Sequence, residues 1–289
     1  MRFFIVDVFC KGKYSGNQLA VVCSAESLSP AEMQAIAVEF HFSETSFIVG
    51  RGEEDGSWRV RIFTPRNEVP FAGHPSLGTA FVIRNELQKR KSAKVALAMR
   101  LGKIPVSFDD DNDIAWMRQV EPVFGTTHSR EPMAGLLGIP VEEVDERFPV
   151  QSVSTGMEFV LVPVNDLRTL RNASVDPVKY GEYFAGKDPR PVFIFSPETY
   201  EQENSISCRM FADAFGIPED PATGSANGCL AAYLSRYRYC GSSAVDISVE
   251  QGYELGRKSI LHIRAGLEGD TYGIEVGGRV VKTAEGMLV

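Results

Sequence analysis

The sequence predicts two similar α+β lobes, and three observations predict them. Two distant stretches echo each other. Gly73-His74-Pro75-Ser76 opens the apolar run Leu77, Ala80, Phe81, Val82, and about half a chain later Gly224-Ser225-Ala226-Asn227 opens the run Cys229, Leu230, Ala231, Ala232, Tyr233. A second echo lies upstream of each, Arg61-Ile62-Phe63 before the first and Arg209-Met210-Phe211 before the second. Each copy therefore reads as strand, loop, tight glycine turn and helix. Strand patterns dominate elsewhere, with one long helix per half, which argues against a parallel doubly wound sheet. A chain of 289 residues has material for both lobes.

The elements follow in order. Phe3 to Val8 alternates weakly as a strand, Ser15-Gly16-Asn17 is a turn, and Leu19 to Val22 is a short strand. Ser29 is a candidate N-cap, Pro30 fits the first helical position and Glu32 completes a capping box. Met33, Ile36, Ala37 and Phe40 then recur at helical spacing. A strand runs through Thr45, Phe47 and Val49; Glu53-Glu54-Asp55-Gly56 is a hairpin turn, and Trp58 to Phe63 returns. The first echoed helix spans Pro75 to about Gln88, and strands follow around Lys94–Met99, Ile104–Phe108 and Trp116–Val120. In the second half, Met133 to Leu137 is a short helix ending at Gly138. Strands cover Gln151–Ser154, Glu158–Val164, Pro191–Ser196 and Ser205–Phe211, then Ser248–Gly252, Ser259–Ala265 and Thr271–Val276. Gly277-Gly278 reads as a hairpin turn into Arg279–Thr283. The expected lobes are residues 1–118 and 119–278, with 279–289 a terminal segment returning to the first.

Bulk properties exclude several classes. A net charge of −8 and an isoelectric point near 5.2 argue against a nucleic-acid surface. The one compact basic run, Lys89-Arg90-Lys91 with Lys94, suits the C-terminal end of a helix. Asp7 interrupts the apolar N-terminus, no secretory signal follows, and no apolar run is long enough to span a membrane. Five scattered cysteines without metal spacing read as reduced thiols in the cytoplasm, and the four histidines are equally dispersed. Asp109-Asp110-Asp111-Asn112-Asp113 lacks the spaced ligands and glycine of a calcium loop and reads as an exposed turn.

A helix that begins directly after a glycine turn presents unpaired N–H groups and a partial positive charge. Two such ends facing one cleft suit a small carboxylate. The segments Ser15-Gly16-Asn17, Phe42-Ser43-Glu44-Thr45-Ser46-Phe47, Arg61-Ile62-Phe63-Thr64-Pro65 and Phe71-Ala72-Gly73-His74-Pro75 resemble the phenazine-biosynthesis PhzF-like isomerases, within the diaminopimelate-epimerase fold. So do Ser154-Thr155-Gly156, Glu219-Asp220-Pro221-Ala222-Thr223-Gly224-Ser225-Ala226 and Gln251-Gly252 with Gly256-Arg257. The resemblance implies two pseudo-symmetric lobes, each a curved, mostly antiparallel sheet or barrel around a central helix. It also implies one substrate pocket between them, a homodimer, no cofactor and no metal. Gln18 departs from the Pro that many relatives carry after Gly-Asn, near the expected cleft, and bears on which substrate fits.

Relatives that racemise or epimerise amino acids place a cysteine at both echoed positions. Here His74 and Ser225 stand there. A serine hydroxyl is too weakly acidic to serve as a base without an activating partner, and Cys229 lies a helical turn further on, so a two-thiol inversion is excluded. Glu44 is the replacement acid/base. Burial beside Phe42 and Phe47 would raise its pKa. One base acting on one face moves a proton without inversion. Glu44 also fits a solvated end of a helix connection. His74 suits donating a hydrogen bond to a substrate carboxylate or polarising a group being protonated, and Asp220 suits holding a substrate hydroxyl or amine. Gly73, Gly224 and Ser225 would grip the carboxylate, with Asn17 and Ser76 as further binding residues; Ser225 equally suits a plain helix N-cap. The resemblance thus implies a cofactor-independent isomerase acting on a small carboxylate, like trans-2,3-dihydro-3-hydroxyanthranilate isomerase. An epimerase or racemase with other bases and a non-catalytic small-molecule-binding protein are the alternatives.

Overall fold

A computed structural model describes residues 1–52, 56–88 and 92–289. Most of the expected Glu53–Gly56 turn and the basic run Lys89-Arg90-Lys91 lie outside the described residues. The chain divides into two units, Met1–Arg118 with Gly277–Val289, and Gln119–Val276.

The first unit holds β1 (Arg2–Val8), β2 (Asn17–Val22), α1 (Pro30–Phe40), β3 (Thr45–Arg51), β4 (Trp58–Phe63), β5 (Glu68–Val69), α2 (Gly73–Val82), β6 (Lys94–Met99), β7 (Gly102–Asp109) and β8 (Ile114–Arg118). β1 and β2 are antiparallel, β2 and β3 parallel, β3 and β4 antiparallel, β4 and β6 parallel, and β6 and β7 antiparallel. The sheet curves around α2, which packs against β1, β2, β3, β6, β7 and β8. Such enclosure explains why α2 is apolar nearly all round, with Leu77, Ala80 and Val82 fully buried. Burying a side chain the size of Leu77 contributes about 1.5–3 kcal/mol. Gly78 makes the approach feasible, since a Cβ there would lie 2.6 Å from Leu19 Cδ2 and 2.9 Å from Val8 Cγ2.

The second unit holds β9 (Val123–His128), α3 (Arg130–Leu137), β10 (Val150–Ser154), β11 (Glu158–Pro163), α4 (Leu167–Asn172), α5 (Pro177–Tyr183), β12 (Val192–Ser196) and β13 (Ile206–Ala212). It continues with β14 (Ile217–Asp220), α6 (Gly224–Tyr237), β15 (Val245–Gln251) and β16 (Ser259–Glu268). β17 (Thr271–Gly278) then leads to β18 (Val280–Met287), which pairs antiparallel with β1. The pairings repeat those of the first unit: β10–β11 antiparallel, β11–β12 parallel, β12–β13 antiparallel, β13–β15 parallel, β15–β16 antiparallel. The short β14 pairs with β13 as β5 pairs with β4, and each precedes the central helix. Two α+β lobes of one topology are what the echoed motifs predict.

Local chemistry explains the helix ends. Ser29 caps α1 in a complete capping box with Glu32, and Gly138 ends α3 in a left-handed conformation at φ +66. Asp166 and Asp176 cap α4 and α5, two short helices absent from the sequence reading. The helix predicted from Pro75 to Gln88 instead starts at Gly73 and changes at Ile83 to a π-helical turn, Ile83–Leu87. Gly277 and Gly278 do not form a hairpin turn. They complete β17, where a Cβ on Gly277 would lie 2.5 Å from the Trp116 ring.

Candidate functional site

Glu44 and His74 meet within the first unit. Glu44 ends the connection from α1 to β3, and His74 is the second residue of α2. His74 Nε2 lies 3.5 Å from Glu44 Oε2, with side chains 7% and 15% exposed. Burial pushes the His74 pKa down to about 3, partly offset by a hydrogen bond to the Gln18 backbone, so the ring is neutral near pH 7 and the contact is not a salt bridge. Nε2 has no hydrogen-bond partner, which assigns the bond with Gln18 to Nδ1 and its proton to that nitrogen. His74 thus turns an acceptor towards Glu44.

Phe47 packs against Phe63 at 5.4 Å within the core that includes Met33 and Ala37 of α1, and Phe42 stacks on Phe40 at 6.2 Å. The structure sets His74 beside the Glu44 carboxylate. Gln18 is itself exposed, while its backbone holds the imidazole. Asn17, next to it, is buried opposite Val8 at the start of β2.

The start of α2 carries no side-chain cap, because its N-cap is Ala72. Pro75 has no N–H, and Ser76 N–H bonds back to Ala72 O at 3.3 Å, so Gly73 and His74 supply the helix-end amides. The Ser76 hydroxyl is spent locally, donating to Ala72 O at 2.8 Å.

The second unit repeats the construction. Asp220 ends β14 and is buried; Gly224 and Ser225 begin α6. The N-cap is Thr223, not Ser225, and it makes no capping bond. Its hydroxyl donates instead to Asp220 Oδ2 at 2.5 Å and accepts from Gln251 Nε2 at 3.0 Å. Asn227, in the position equivalent to Ser76, donates to Thr223 O at 3.1 Å. Both central helices therefore begin with amides that no side chain caps.

The strands leading to these helix starts are tied alike. Arg61 binds Glu68 through Nε and Nη2, both at 2.8 Å, and Arg209 binds Glu219 at 2.9 and 2.8 Å. Each guanidinium also lies over an aromatic ring two residues on, Phe63 at 5.1 Å and Phe211 at 4.8 Å. The sequence reading found both arginines, placed Glu219 in a matching segment without a role, and missed Glu68. It also gave Gln251 no role, although Gln251-Gly252 was among the matching segments.

The Cys229 thiol is buried, pushed up to about 12, and sits 3.5 Å from Thr155 Oγ1, which makes it an inert core group. Among the described residues no cluster of side chains suits a metal ion, and no helix is long and apolar enough to cross a membrane. Two surface concavities, about 370 Å³ beside Asp145 and Arg147 and about 420 Å³ beside Arg84 and Asp110, contain none of the candidate residues.

Comparison with known proteins gives the family and the fold of the chain. The profile of the family described as phenazine biosynthesis-like protein, PhzC-PhzF, matches residues 6–286. The trans-2,3-dihydro-3-hydroxyanthranilate isomerase of Pseudomonas aeruginosa is 31% identical over 99% of this chain and 98% of its own. A crystal structure of a Bacillus anthracis phenazine biosynthesis protein of the PhzF family superposes with a TM-score of 0.90 at 27% identity, covering 100% of this chain and 99% of that one. A probable proline racemase from Agrobacterium radiobacter superposes at 0.63 with 10% identity, over 100% and 92% of the two chains, a likeness of fold.

Proposed function

The chain belongs to the phenazine biosynthesis-like PhzC-PhzF family and is an isomerase, and from that premise we propose that it moves a proton on a small carboxylate through one acid/base, Glu44. The substrate class is that of the Pseudomonas aeruginosa relative, trans-2,3-dihydro-3-hydroxyanthranilate. The observation that carries this reading is the Glu44 carboxylate, largely buried and 3.5 Å from a neutral imidazole.

The chemistry follows from that pair. Glu44 removes a proton from a carbon activated by conjugation with the substrate carboxylate. The resulting carboxylic acid donates a hydrogen bond to His74 Nε2, whose low pKa keeps it from taking the proton outright. Glu44 then returns the proton to another carbon on the same face, which shifts a double bond. The negative charge that develops on the substrate carboxylate calls for fixed donors, and uncapped helix-end amides are suited to it. We assign such donors to each unit by itself: Gly73 at the start of α2 in the first, and Gly224 and Ser225 at the start of α6 in the second, where Asp220 would bind a substrate hydroxyl or amine. Asn17 and Ser76 act as supports of the first unit's residues.

Incubation with trans-2,3-dihydro-3-hydroxyanthranilate in D2O tests this. Isomerisation with no inversion at the retained stereocentre, and with any exchanged deuterium confined to the carbons that lose and gain the proton, supports the one-base reading. Inverted product points to two bases, and saturable binding without isomerisation or exchange points to a binding protein.

A further inference from the structure

Gln251 is 1% exposed at the end of β15, where it pairs in register with Cys208 of β13. Its amide is saturated. Oε1 accepts from Thr223 N–H at 3.0 Å and from Asn227 Nδ2 at 3.0 Å, while Nε2 donates to Asp220 O at 2.9 Å and to Thr223 Oγ1 at 3.0 Å. The orientation is fixed by its partners, because Thr223 N–H can only donate and Asp220 O can only accept.

One consequence falls on Thr223. A threonine at an N-cap ordinarily accepts a hydrogen bond from the second or third helical N–H. Here the hydroxyl accepts from Gln251 Nε2 and gives its single proton to Asp220 Oδ2, and this orientation makes no bond to the helix N–H groups. The side chain is thereby held away from the helix it would cap. The close approach that lets Gln251 reach the loop requires Gly252, at φ +75, where a Cβ would lie 2.5 Å from Pro221 O and 2.6 Å from Arg257 O.

We infer that Gln251 is a positioning residue: by engaging Thr223 it leaves the first amides of α6 open to a substrate carboxylate and orients Asp220 through the Thr223 hydroxyl. This rests on the assignment of the α6 terminus to carboxylate binding. In the first unit the same result is reached more simply, since Ala72 has no group with which to cap α2.

The test compares binding of anthranilate, an aromatic amino carboxylate, with that of methyl anthranilate, which lacks the charge. Titrations use wild type, Gln251→Leu, Thr223→Val and the double variant, with thermal melting of each. Gln251→Leu frees the Thr223 hydroxyl to cap α6, so the expected result is a loss of about tenfold in anthranilate affinity, about 1.4 kcal/mol, with ester binding changed less than about twofold. Thr223→Val has no group with which to cap and should keep the wild-type preference for acid over ester, and the double variant should recover the preference that Gln251→Leu loses. Gln251→Asn, too short to hold Thr223, carries the test if Gln251→Leu does not fold. Equal losses for acid and ester in a Gln251 variant, or no loss in a folded one, overturn the role of Gln251 alone. A wild-type chain that binds both compounds equally, or neither, overturns the carboxylate assignment and the role of Gln251 with it.

Discussion

His74 Nε2 faces Glu44 Oε2 at 3.5 Å as a neutral acceptor, with its pKa brought down to about 3 by burial. The fold penalises protonation of this ring, so the unfolded chain binds the additional proton. Its contribution to stability is complete above the unfolded pKa of about 6.5 and is lost as pH falls towards 3. Urea unfolding of wild type and His74→Asn at pH 7 and pH 5 should show the wild-type advantage shrinking by about 2 kcal/mol over that interval. A difference that is the same at both pH values contradicts a buried neutral imidazole.

The uncapped start of α2 is a second point of attack. Ala72 has extended N-cap geometry, φ −151 and ψ 145, which a capping residue also adopts. Ala72→Ser should raise stability by about 0.5–1 kcal/mol while lowering turnover, since its hydroxyl occupies a helix-end amide that the substrate needs. Thermal melting and initial rates measured together check this. Unchanged turnover in a stabilised variant removes the α2 amides from the site.

The two arginine–glutamate ties differ in burial, and their costs should differ accordingly. Arg209 and Glu219 side chains are 9% and 11% exposed, against 27% and 18% for Arg61 and Glu68. Glu219→Gln removes the hydrogen-bonded carboxylate of a buried guanidinium, leaving Glu254 at 3.8 Å, and should cost about 2–3 kcal/mol, and Glu68→Gln nearer 1 kcal/mol. Denaturant midpoints of the two variants give the comparison; a larger loss for Glu68→Gln would contradict the burial argument.

How much of this was legible in the sequence depends on the range of the interaction. The capping box of α1, the glycine stop of α3 and the two echoed helix starts are written in adjacent residues and were readable. Arg61 and Arg209 were visible as repeats, but their partners Glu68 and Glu219 lie on the short strands β5 and β14, whose pairing no local pattern announces. Gln251 reaches Thr223 because β15 runs parallel to β13, a register set by the whole sheet. Gly277-Gly278 resembled a turn because paired glycines ordinarily make one; here the Trp116 ring excludes a side chain at Gly277. Glu44 and His74 were each singled out, but their contact, and the tautomer that makes His74 an acceptor, depends on the Gln18 backbone.

Gly252 gives a backbone test of the α6 loop. A methyl group there meets two carbonyl oxygens that cannot rotate away, on a residue already at positive φ. Gly252→Ala should therefore destabilise by about 2 kcal/mol or more and weaken ligand binding. Gly78→Ala, whose nearest contacts are the mobile methyl ends of Leu19 and Val8, should be the milder variant. The order of the two melting temperatures settles which approach is the more rigid.

The most direct measurement is made on Glu44→Gln, which keeps the shape of the side chain beside His74 and removes its capacity to take a proton. Turnover of trans-2,3-dihydro-3-hydroxyanthranilate and uptake of solvent deuterium should both fall by about a thousandfold or more, with anthranilate affinity within about threefold of wild type. A variant that still isomerises at a rate near that of wild type would show that the proton is carried by another group.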